Sequence, residues 1–393
     1  MQRYEYDVTG DLNRCYNVVK MLLSGLARKI ADDPELELQI IATNMHLSPE
    51  FGLTYREIER QGFRINRKVE MLLSSDTANA TGKSVGLATI GFSDAYEDLA
   101  PDMLLVLGDR YEILAAVTAA LFYKIPVAHL HGGEVTEGAY DDAIRHAITK
   151  MSHLHFTSTE EYRRRVIQLG EQPERVFHVG AIGIDNIRHI DLLDKKVLEE
   201  QLDFPFDRKT VLVTYHPETL DAIPTGEQFR NLLEALDDRQ DIRILFTLPN
   251  SDTGGRIIIR MIEEFVARNK QRVRAYTSLG QLRYLSALQF VAAVVGNSSS
   301  GILEVPSFGK PTLDIGNRQK GRLAADSVVH CGVSGTEISE GLDRVLSDAF
   351  AKQAACTQNP YEKKDTALEI WRVLKNYPLN GIVQKTFYDI RHV

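Results

Sequence analysis

Short apolar runs rich in Val, Ile and Leu recur along the chain, and longer stretches with helical spacing of apolar residues separate them. Strands that are apolar throughout are typical of parallel sheets covered by helices on both faces. A chain of 393 residues also exceeds what one hydrophobic core usually serves. The pattern therefore predicts an α/β protein with two Rossmann-like, doubly wound domains.

The predicted strands fall into two series. The first comprises 4–8, 36–42, 102–107, 127–130, 154–157 and 176–179, and the second 211–215, 242–247, 273–276, 290–295, 312–315 and 328–331. Between them, the charged and proline-containing segment 203–208 is typical of a linker. We predict a first domain over 1–190, a second over 191–370, and a C-terminal helix within 371–393 that can cross back to the first domain.

The charge and hydropathy of the chain exclude several partners. With 46 basic and 54 acidic residues, the net charge of −8 disfavours nucleic acid and anionic membranes. The longest apolar stretches are strand-sized and far below the ~20 residues that a membrane helix needs. No secretory apolar region follows Met1. We therefore expect a cytoplasmic protein that binds a small molecule.

The cysteines and the missing motifs argue against a metal or an organic cofactor. The three cysteines are scattered without CxxC spacing, which suits a reduced compartment and no zinc site. No GxGxxG, GxxxxGK[ST], HExxH or GxSxG motif is present, so nicotinamide, P-loop, zincin and α/β-hydrolase chemistry lose their usual support.

Polar and small residues follow four of the predicted strands, in the motifs Gly108-Asp-Arg110, His129-Leu-His-Gly-Gly-Glu134, Tyr215-His-Pro-Glu218 and Gly296-Asn-Ser-Ser-Ser-Gly301. Ligands of open α/β sheets bind outside the carboxyl ends of the strands. Turns require the same residue types, but four such clusters favour a site in the cleft between the domains.

Two clusters could hold an anion. Gly296-Asn-Ser-Ser-Ser-Gly301 precedes a helical stretch, where backbone N–H groups favour a phosphate, although a plain Ser/Asn helix cap has the same sequence. Glu304, one turn later, suits a sugar or ribose diol. Arg110 and the basic residues of Gly316-Asn-Arg-Gln-Lys-Gly-Arg322 could neutralise a diphosphate, and a solvated basic loop is the alternative for the latter.

Candidates for proton transfer lie at two strand ends and at the following helix start: Asp109, His131, Glu134, Asp141 and Asp142. Acids whose environments separate their pKa values can act as base and acid at neutral pH. The adjacent pair Asp141 and Asp142 could instead complement the helix dipole, and Arg145 lies one turn away from both. His216 could bind a phosphate or pack in the core, whereas His153, His155 and His178 are expected to be packed.

These motifs, together with Asp141-Asp-Ala-Ile-Arg-His-Ala-Ile-Thr-Lys150 and Thr157-Ser-Thr-Glu-Glu-Tyr162, resemble the hydrolysing UDP-N-acetylglucosamine 2-epimerases over nearly the whole chain. Val166-Ile-Gln-Leu-Gly-Glu171 and Gly316-Asn-Arg-Gln-Lys-Gly-Arg322 are similar to the NeuC-type members of bacterial sialic-acid pathways. Arg110 and the His131-Gly-Gly-Glu134 segment favour the hydrolysing branch over the non-hydrolysing one.

The resemblance implies a glycosyltransferase-B-like fold and a homo-oligomer that cleaves UDP-N-acetylglucosamine to UDP and N-acetylmannosamine, without metal or cofactor. The implied path removes the C2 proton, expels UDP to give 2-acetamidoglucal, and adds water. The positions that match the family's acid and base candidates are Asp109, Glu134, Asp141 and Asp142. The positions that match its substrate-binding residues are Arg110, His131, Arg145, His216, Asn250, Ser278, Ser298, Ser299, Glu304 and Arg318.

One departure concerns the loop after the first predicted strand. The family usually reads V-T-G-[ST]-R-A-[DE]-Y there and turns the Arg toward the diphosphate, whereas this chain reads Val8-Thr-Gly-Asp-Leu-Asn-Arg-Cys-Tyr16. Either Arg14 takes the place of that Arg from a longer turn, or the arginine contact to the diphosphate is lost.

Other functions fit the same motifs. They are the same chemistry on a UDP-2,4-diacetamido-2,4,6-trideoxyhexose for a legionaminic-acid-type pathway, a retaining glycosyltransferase, and a nucleotide-sugar sensor.

Overall fold

The computed structural model describes residues 14–18, 24–73, 75, 77–137, 139–188, 190–207, 209–218, 222–249 and 254–390. These residues form two parallel sheets, of seven and six strands, each with apolar clusters on both faces. The predicted fold class, with two doubly wound α/β units, is confirmed. The predicted strand 4–8 lies outside the described residues.

The first sheet has the strand order β3-β2-β1-β4-β5-β6-β7. Its elements are β1 (Arg14–Val18), α1 (Ser24–Ala31), β2 (Leu36–Thr43), α2 (Tyr55–Arg60), β3 (Arg67–Val69), α3 (Ala78–Leu99), β4 (Met103–Leu107), α4 (Tyr111–Tyr123), β5 (Val127–Leu130), α5 (Asp141–Met151), β6 (Leu154–Thr157), α6 (Glu160–Gln168), β7 (Val176–His178) and α7 (Ile182–Ile187).

The second sheet has the order β10-β9-β8-β11-β12-β13. Its elements, and the helices that follow, are α8 (Lys195–Leu202), β8 (Thr210–Thr214), α9 (Thr225–Asp237), β9 (Arg243–Thr247), α10 (Gly255–Arg268), β10 (Val273–Tyr276), α11 (Gly280–Leu288), β11 (Ala293–Gly296), α12 (Ser299–Leu303), β12 (Thr312–Ile315), β13 (Val328–Cys331), α13 (Gly335–Val345), α14 (Asp348–Ala355) and α15 (Thr366–Asn376). Single 3-10 turns lie at Asn44–Leu47, Pro49–Phe51, Pro173–Arg175 and Val305–Phe308.

The central strands follow directly from the apolar runs. Every residue of β4 and of β8 is buried, as expected for strands covered on both faces. Each fully buried Leu or Ile side chain adds about 1.5–3 kcal/mol through removal of apolar surface from water. The two sheets therefore carry the main cores of their units.

Three details of the strand prediction are wrong. Strand β3 was missed, because its sequence Arg-Lys-Val has two exposed charged residues and no apolar run. The strand predicted at 290–295 begins only at Ala293, because Phe290 N and Val291 N donate to Ala287 O and close the end of α11. Strand β1 was not predicted, and Arg14 begins this strand instead of lying in a turn.

The last helix, α15, packs on the first sheet's unit. Its residues Ala367, Ile370 and Leu374 share one buried cluster with Leu26 and Ile30 of α1. The predicted boundary at 370/371 falls inside this helix, and the division of the chain at 190/191 stays a prediction. Among the described residues, no helix is both long enough and apolar enough to cross a membrane.

A buried cluster of hydroxyls joins the two units close to the cleft. The hydroxyl oxygens of Tyr162 and Tyr361 are 2.9 Å apart. Leu323 N donates to the Tyr162 hydroxyl at 2.9 Å, and the Tyr361 hydroxyl donates to Leu323 O at 2.7 Å. This triangle fixes the segment that precedes β13 against α6 of the first unit.

Candidate active site

The carboxyl ends of the two sheets carry the polar loops that the sequence singles out. Asp109 follows β4 and His131 follows β5 in the first sheet, and His216 follows β8 and Arg318 follows β12 in the second. The strand order reverses between β1 and β4 in the first sheet and between β8 and β11 in the second. Asp109 and His216 therefore lie directly at the two reversals. Ligands of doubly wound sheets bind at such reversals.

A loop of the second sheet, residues 316–322, reaches the first sheet and closes one side of the cleft. Arg322 Nη2 lies 3.1 Å from Glu134 Oε2, and Lys320 Nζ lies 3.5 Å from Glu137 Oε2. From the sequence, both basic residues could neutralise a diphosphate or belong to a solvated basic loop. The structure places them in ion pairs with the first unit, because the loop crosses the cleft.

Glu134 is a buried carboxylate with three partners. Its Oε1 lies 2.8 Å from His131 Nδ1 and accepts a hydrogen bond from Ser158 Oγ at 2.8 Å. Its Oε2 pairs with Arg322. Burial alone would raise the pKa of Glu134, but Arg322, His131 and Ser158 outweigh burial and bring that pKa to about 2. The side chain is therefore ionised at neutral pH and fully engaged.

His131 lies in a tight loop with a left-handed backbone, at φ +65°. Gly133 follows at φ +79°, and a Cβ there would lie 2.4 Å from Tyr162 O, so only glycine fits. The imidazole is nine-tenths buried. Its Nδ1 contacts Glu134, whereas its Nε2 has no hydrogen-bond partner in the described part of the chain. The loop thus presents one unpaired ring nitrogen.

Arg145 is almost completely buried beside Asp109. Its Nη2 forms an ion pair with Asp109 Oδ2 and donates to Thr136 Oγ1 at 2.8 Å. The sequence suggests Asp141 or Asp142 as its partner, and Arg145 Nη1 does lie 3.6 Å from Asp142 Oδ1. The carboxylate that it contacts most closely is nevertheless Asp109, which follows β4. Burial lowers the pKa of Arg145 well below its usual range, and the charges of other arginines in the cleft lower it further.

Asp142 and Asp141 lie in the first turn of α5. Asp142 Oδ1 accepts a hydrogen bond from Thr136 N at 2.7 Å, and its Oδ2 lies 3.5 Å from His146 Nε2. The hydrogen bond with His146 is the main reason that the pKa of Asp142 is lowered. These contacts agree with the alternative that Asp142 has a structural role at the start of the helix. Asp141 is buried at the start of the helix.

Arg110 occupies the position before α4. Its Nε donates to Glu112 Oε1 at 2.9 Å, and its guanidinium lies 5.4 Å from the ring centre of Tyr111. Both contacts lie within the next two residues, and Arg110 is buried. These contacts fix its orientation, and its role toward a diphosphate stays a prediction.

Asn297, for which we predicted no role of its own, connects the loops of the second sheet through hydrogen bonds. His216 N donates to Asn297 Oδ1 at 2.7 Å, and Asn297 Nδ2 donates to His216 O at 2.8 Å. Arg318 Nη1 donates to Asn297 O at 3.2 Å. Glu218 accepts two bonds from Asn317 N, at 3.0 and 3.2 Å. The loops after β8, β11 and β12 therefore form one rigid surface.

The helix that begins at the predicted anion site, α12, is short. The helix has only five residues, so its dipole is weak. Ser298 Oγ accepts from Ser300 N at 3.5 Å, which is the plain helix cap that the sequence also allowed. Ser299 begins the helix beside it.

Glu304 follows α12 and faces the first unit. A Cβ on Gly183 of α7 would lie 2.8 Å from Glu304 Oε1. Burial raises the pKa of Glu304, and its Oε2 has no partner among the residues that the structure describes. The carboxyl group is thus available to a hydroxyl-rich ligand.

The structure describes only one of the two remaining predicted residues. Ser278 is exposed after the edge strand β10, and its Oγ accepts a hydrogen bond from Gly280 N at 3.1 Å. Asn250 lies outside the described residues.

Buried polar atoms without a protein partner are concentrated in this cleft. Among the described residues, the buried atoms without a hydrogen-bond partner include His131 Nε2, Arg145 Nε, Glu304 Oε2 and Arg322 Nη1. His131 and Arg322 both contact Glu134, Arg322 also donates to Val135 O, and Arg145 donates to the adjacent Thr136, so three of these side chains meet at the loop after β5. Since buried polar groups are normally paired, the cleft is suited to a polar, anionic ligand.

A sequence model of the family described as UDP-N-acetylglucosamine 2-epimerase matches residues 28–375. The chain belongs to this family. As a UDP-N-acetylglucosamine 2-epimerase family member, it is 42% identical to the hydrolysing GDP/UDP-N,N'-diacetylbacillosamine 2-epimerase of Campylobacter jejuni, over 94% of this chain and 96% of that protein. It is 36% identical to the polysialic acid biosynthesis protein P7 of Escherichia coli, over 95% of each chain. The predicted membership of the hydrolysing family is confirmed.

Solved structures support the predicted glycosyltransferase-B-like fold of this family member. The UDP-GlcNAc 2-epimerase of Neisseria meningitidis, solved with UDP-GlcNAc, superimposes with a TM-score of 0.78, at 18% identity, over 92% of this chain and 99% of that chain. The Methanocaldococcus jannaschii enzyme, in complex with UDP-GlcNAc and UDP, gives a TM-score of 0.72 at 16% identity, over 92% and 99% of the two chains.

Proposed function

We propose that this UDP-sugar 2-epimerase of the hydrolysing type binds a UDP-linked 2-acetamido sugar across the cleft, with UDP on the second sheet and the sugar toward the first. The unpaired buried atoms of His131, Arg145, Glu304 and Arg322 carry this proposal, since both sheets contribute them. Arginine nitrogens complement a diphosphate, and the Glu304 carboxyl complements ribose or sugar hydroxyls. Family membership favours an epimerase over a glycosyltransferase or a sensor.

We assign the nucleotide to the surface that Asn297 organises. Arg318 contacts the Asn297 carbonyl, and its charge is close enough to affect Arg145 across the cleft. That position suits a diphosphate that lies between the two units. The residues that we propose to bind the nucleotide are His216, Asn250, Ser278, Ser298, Ser299, Glu304 and Arg318.

We assign the reacting sugar to the loops of the first sheet. A base removes the C2 proton, the C1–O bond breaks as UDP leaves, and water then adds at C1 while C2 regains a proton on the other face. Asp109 and Glu134 stand closest to the charged cluster, through Arg145 and Arg322. Asp141, Asp142 and Arg110 are proposed to shape the same pocket.

The sugar is proposed to be N,N'-diacetylbacillosamine, a 2,4-diacetamido-2,4,6-trideoxyhexose. The Campylobacter jejuni relative at 42% identity and a Legionella pneumophila relative at 34% identity carry that sugar in their names. UDP-N-acetylglucosamine, with N-acetylmannosamine for sialic acid as its product, is the second candidate. The polysialic acid relative at 36% identity favours it.

The two candidates are separated by the rate of UDP release from each nucleotide sugar. The two sugars differ at C4 and at C6. We expect kcat/KM to be at least ~10-fold higher for UDP-N,N'-diacetylbacillosamine, since a single differing group typically gives about that much discrimination. UDP-glucose, which lacks the 2-acetamido group, serves as the control and should release no UDP. A higher kcat/KM for UDP-N-acetylglucosamine would transfer the assignment to the second candidate, and no UDP from either sugar would contradict the proposed function.

We further propose that the enzyme works in the cytoplasm as a homo-oligomer. The described cysteine side chains, Cys331 and Cys356, form no disulfide, which suits a reducing compartment. Helices α3 and α4 expose large apolar side chains, with Ile90 at 63%, Leu121 at 49% and Phe122 at 76%. Exposed apolar surface of this kind marks association surfaces.

A further inference from the structure

We propose that His131 is the base that takes the C2 proton, and that Glu134 and Arg322 are positioning residues that act through it. This inference rests on the proposed function and deepens it, since the resemblance gives only carboxylates as acid and base candidates, Glu134 among them, and counts His131 among the substrate-binding positions. Three geometric facts support it: the bonding of the imidazole, the bonding of the carboxylate, and the shape of the loop that holds the imidazole.

The hydrogen bonding of the imidazole leaves Nε2, the nitrogen that would take the proton, without a partner among the described residues. His131 Nδ1 lies 2.8 Å from Glu134 Oε1, and an ionised carboxylate can only accept, so Nδ1 carries the hydrogen. In the neutral ring, Nε2 then carries the lone pair. That atom is buried and has no partner in the described part of the structure. A base needs an oriented lone pair that no protein group occupies.

Glu134 itself is badly placed to accept a proton from a substrate. His131 and Ser158 contact Oε1, and Arg322 contacts Oε2 at 3.1 Å. A carboxylate with all these bonds, and with a pKa of about 2, has little affinity for a further proton. It is well placed, in contrast, to stabilise the imidazolium that forms when His131 takes a proton.

The neighbouring histidine, His129, shows what a packed imidazole looks like in this fold. Its Nε2 contacts Gly108 O at 2.8 Å and its Nδ1 contacts Thr149 Oγ1 at 3.2 Å. Burial lowers the pKa of His129 to about 3. Two residues later, the backbone turns to φ +65° at His131 and the second ring nitrogen loses its partner. Backbone outliers of this kind are concentrated at active sites.

The step balances without any further reactant. Nε2 of His131 takes the C2 proton, the C–H electron pair becomes the C1=C2 double bond, and the C1–O electrons leave with UDP. Water then supplies the oxygen at C1, and C2 receives a proton on the opposite face from a second group. The charged groups that face His131 are Glu134 in its own loop, His129 of β5, and Glu304 and Arg322 of the second unit.

Arg322 makes the orientation of His131 depend on contact between the two units. It comes from the second sheet, yet it fixes the Oε2 atom of the carboxylate that orients His131. The base is therefore complete only when the loop 316–322 lies against the first sheet. Replacing Arg322 with methionine should lower kcat more than it raises KM, because the ring loses its fixed orientation.

Chemical rescue separates His131 from Glu134 as the base. His131→Gly suits the left-handed backbone and opens a space for free imidazole, so we expect kcat to fall about 10²-fold and to recover when imidazole is added. Glu134→Gln should also lose kcat, because the imidazolium has lost its carboxylate, but imidazole should not rescue it. His178→Ala, on the half-exposed end of β7, is the control and should show neither loss nor rescue.

The opposite pattern would overturn the proposal: near-normal kcat in His131→Gly, together with rescue of Glu134→Ala by formate. A measurement without substrate tests the arrangement independently of activity. In ¹⁵N NMR spectra of the wild-type enzyme at neutral pH, His131 should carry its hydrogen on Nδ1, and a hydrogen on Nε2 in place of Nδ1 would contradict the inference. Failure of the wild-type enzyme to release UDP from any tested sugar would instead reject the proposed function.

Discussion

Asp109→Asn is expected to lower kcat for UDP release by about 10²-fold or more, the usual contribution of a positioned proton-transfer group. Asp109 follows β4 and contacts the buried Arg145, and β4 neighbours β5, which carries the loop of His131 and Glu134. Within the proposed function, Asp109 is the group that we propose to return a proton to C2 on the second face. Asparagine keeps the size of the side chain and can still accept a bond from Arg145, so the fold should be retained.

The same variant should bind UDP with nearly the wild-type dissociation constant, because the proposed nucleotide-binding residues belong to the second sheet. Calorimetry with UDP and steady-state kinetics measure the two effects separately. Asp98→Asn is the matched control: its carboxylate also pairs with an arginine, Arg67, but on the exposed surface of α3, so kcat should not change. Near-wild-type turnover of Asp109→Asn would remove Asp109 from the mechanism.

Glu171→Gln is expected to lower the free energy of unfolding by about 3 kcal/mol, the range found when one partner of a buried ion pair is removed. Glu171 is 1% exposed. It contacts Lys150 at 2.6 Å, His155 at 3.1 Å and Lys385 at 2.8 Å. These contacts hold the C-terminal segment against β6. Urea unfolding, followed by the fluorescence of the single tryptophan, Trp371 in α15, measures the loss.

The effect of Glu171 should depend on pH in a defined direction. Burial alone would raise its pKa, but His155, Lys150 and Lys385 lower that pKa from 4.5 to about 2. A carboxylate with a lowered pKa stabilises the folded state above its unfolded pKa and loses that effect as the pH falls through the folded value. The difference between wild type and Glu171→Gln should therefore be full above pH 4.5 and shrink toward pH 2.

Glu161→Gln is the control for this stability measurement. Glu161 pairs with Arg165 at 3.2 Å on the solvent side of α6, and such surface pairs contribute at most about 1 kcal/mol. An equal loss in the two variants, or no loss in Glu171→Gln, would show that the cluster around Glu171 does not stabilise the fold.

The parts of the fold that follow from local apolar runs were predictable from the sequence. β5, β6, β10, β12 and β13 have the predicted bounds, because each contains at least two large apolar residues. β5, β6 and β12 are buried throughout, whereas the edge strands β10 and β13 are only partly buried. β3 was not predictable in this way, because an edge strand with exposed Arg67 and Lys68 lacks that signal.

The site was predictable in its residue types but not in its pairings. His131 and Glu134 stand out as polar residues at a strand end, and Arg322 stands out as a basic residue in a glycine-rich loop. Their mutual contact could not be predicted, because Glu134 and Arg322 belong to different units and meet only when the cleft forms. Asn297 was similarly missed, since its bonds to the His216 backbone look like turn chemistry in the sequence.

The histidines illustrate the same limit. His153 and His155 are buried, as predicted, but His178 is only half-buried at the end of β7. No local pattern distinguishes His155 from the other histidines, because its contact with Glu171 depends on a loop that follows α6. Strand-like surroundings therefore predict burial better than they predict the partner of a buried histidine.

The most direct test of the proposed function is turnover of UDP-N,N'-diacetylbacillosamine in isotopically labelled water. If C2 loses its proton and regains one on the opposite face, turnover in D₂O should place deuterium at C2 of the free sugar. If UDP leaves by C1–O cleavage, turnover in ¹⁸O-water should label the C1 oxygen of the sugar and leave UDP unlabelled. Both labels together are the predicted result. Free sugar with the oxygen label but no deuterium at C2 would show a simple nucleotide-sugar hydrolase and contradict the epimerase account.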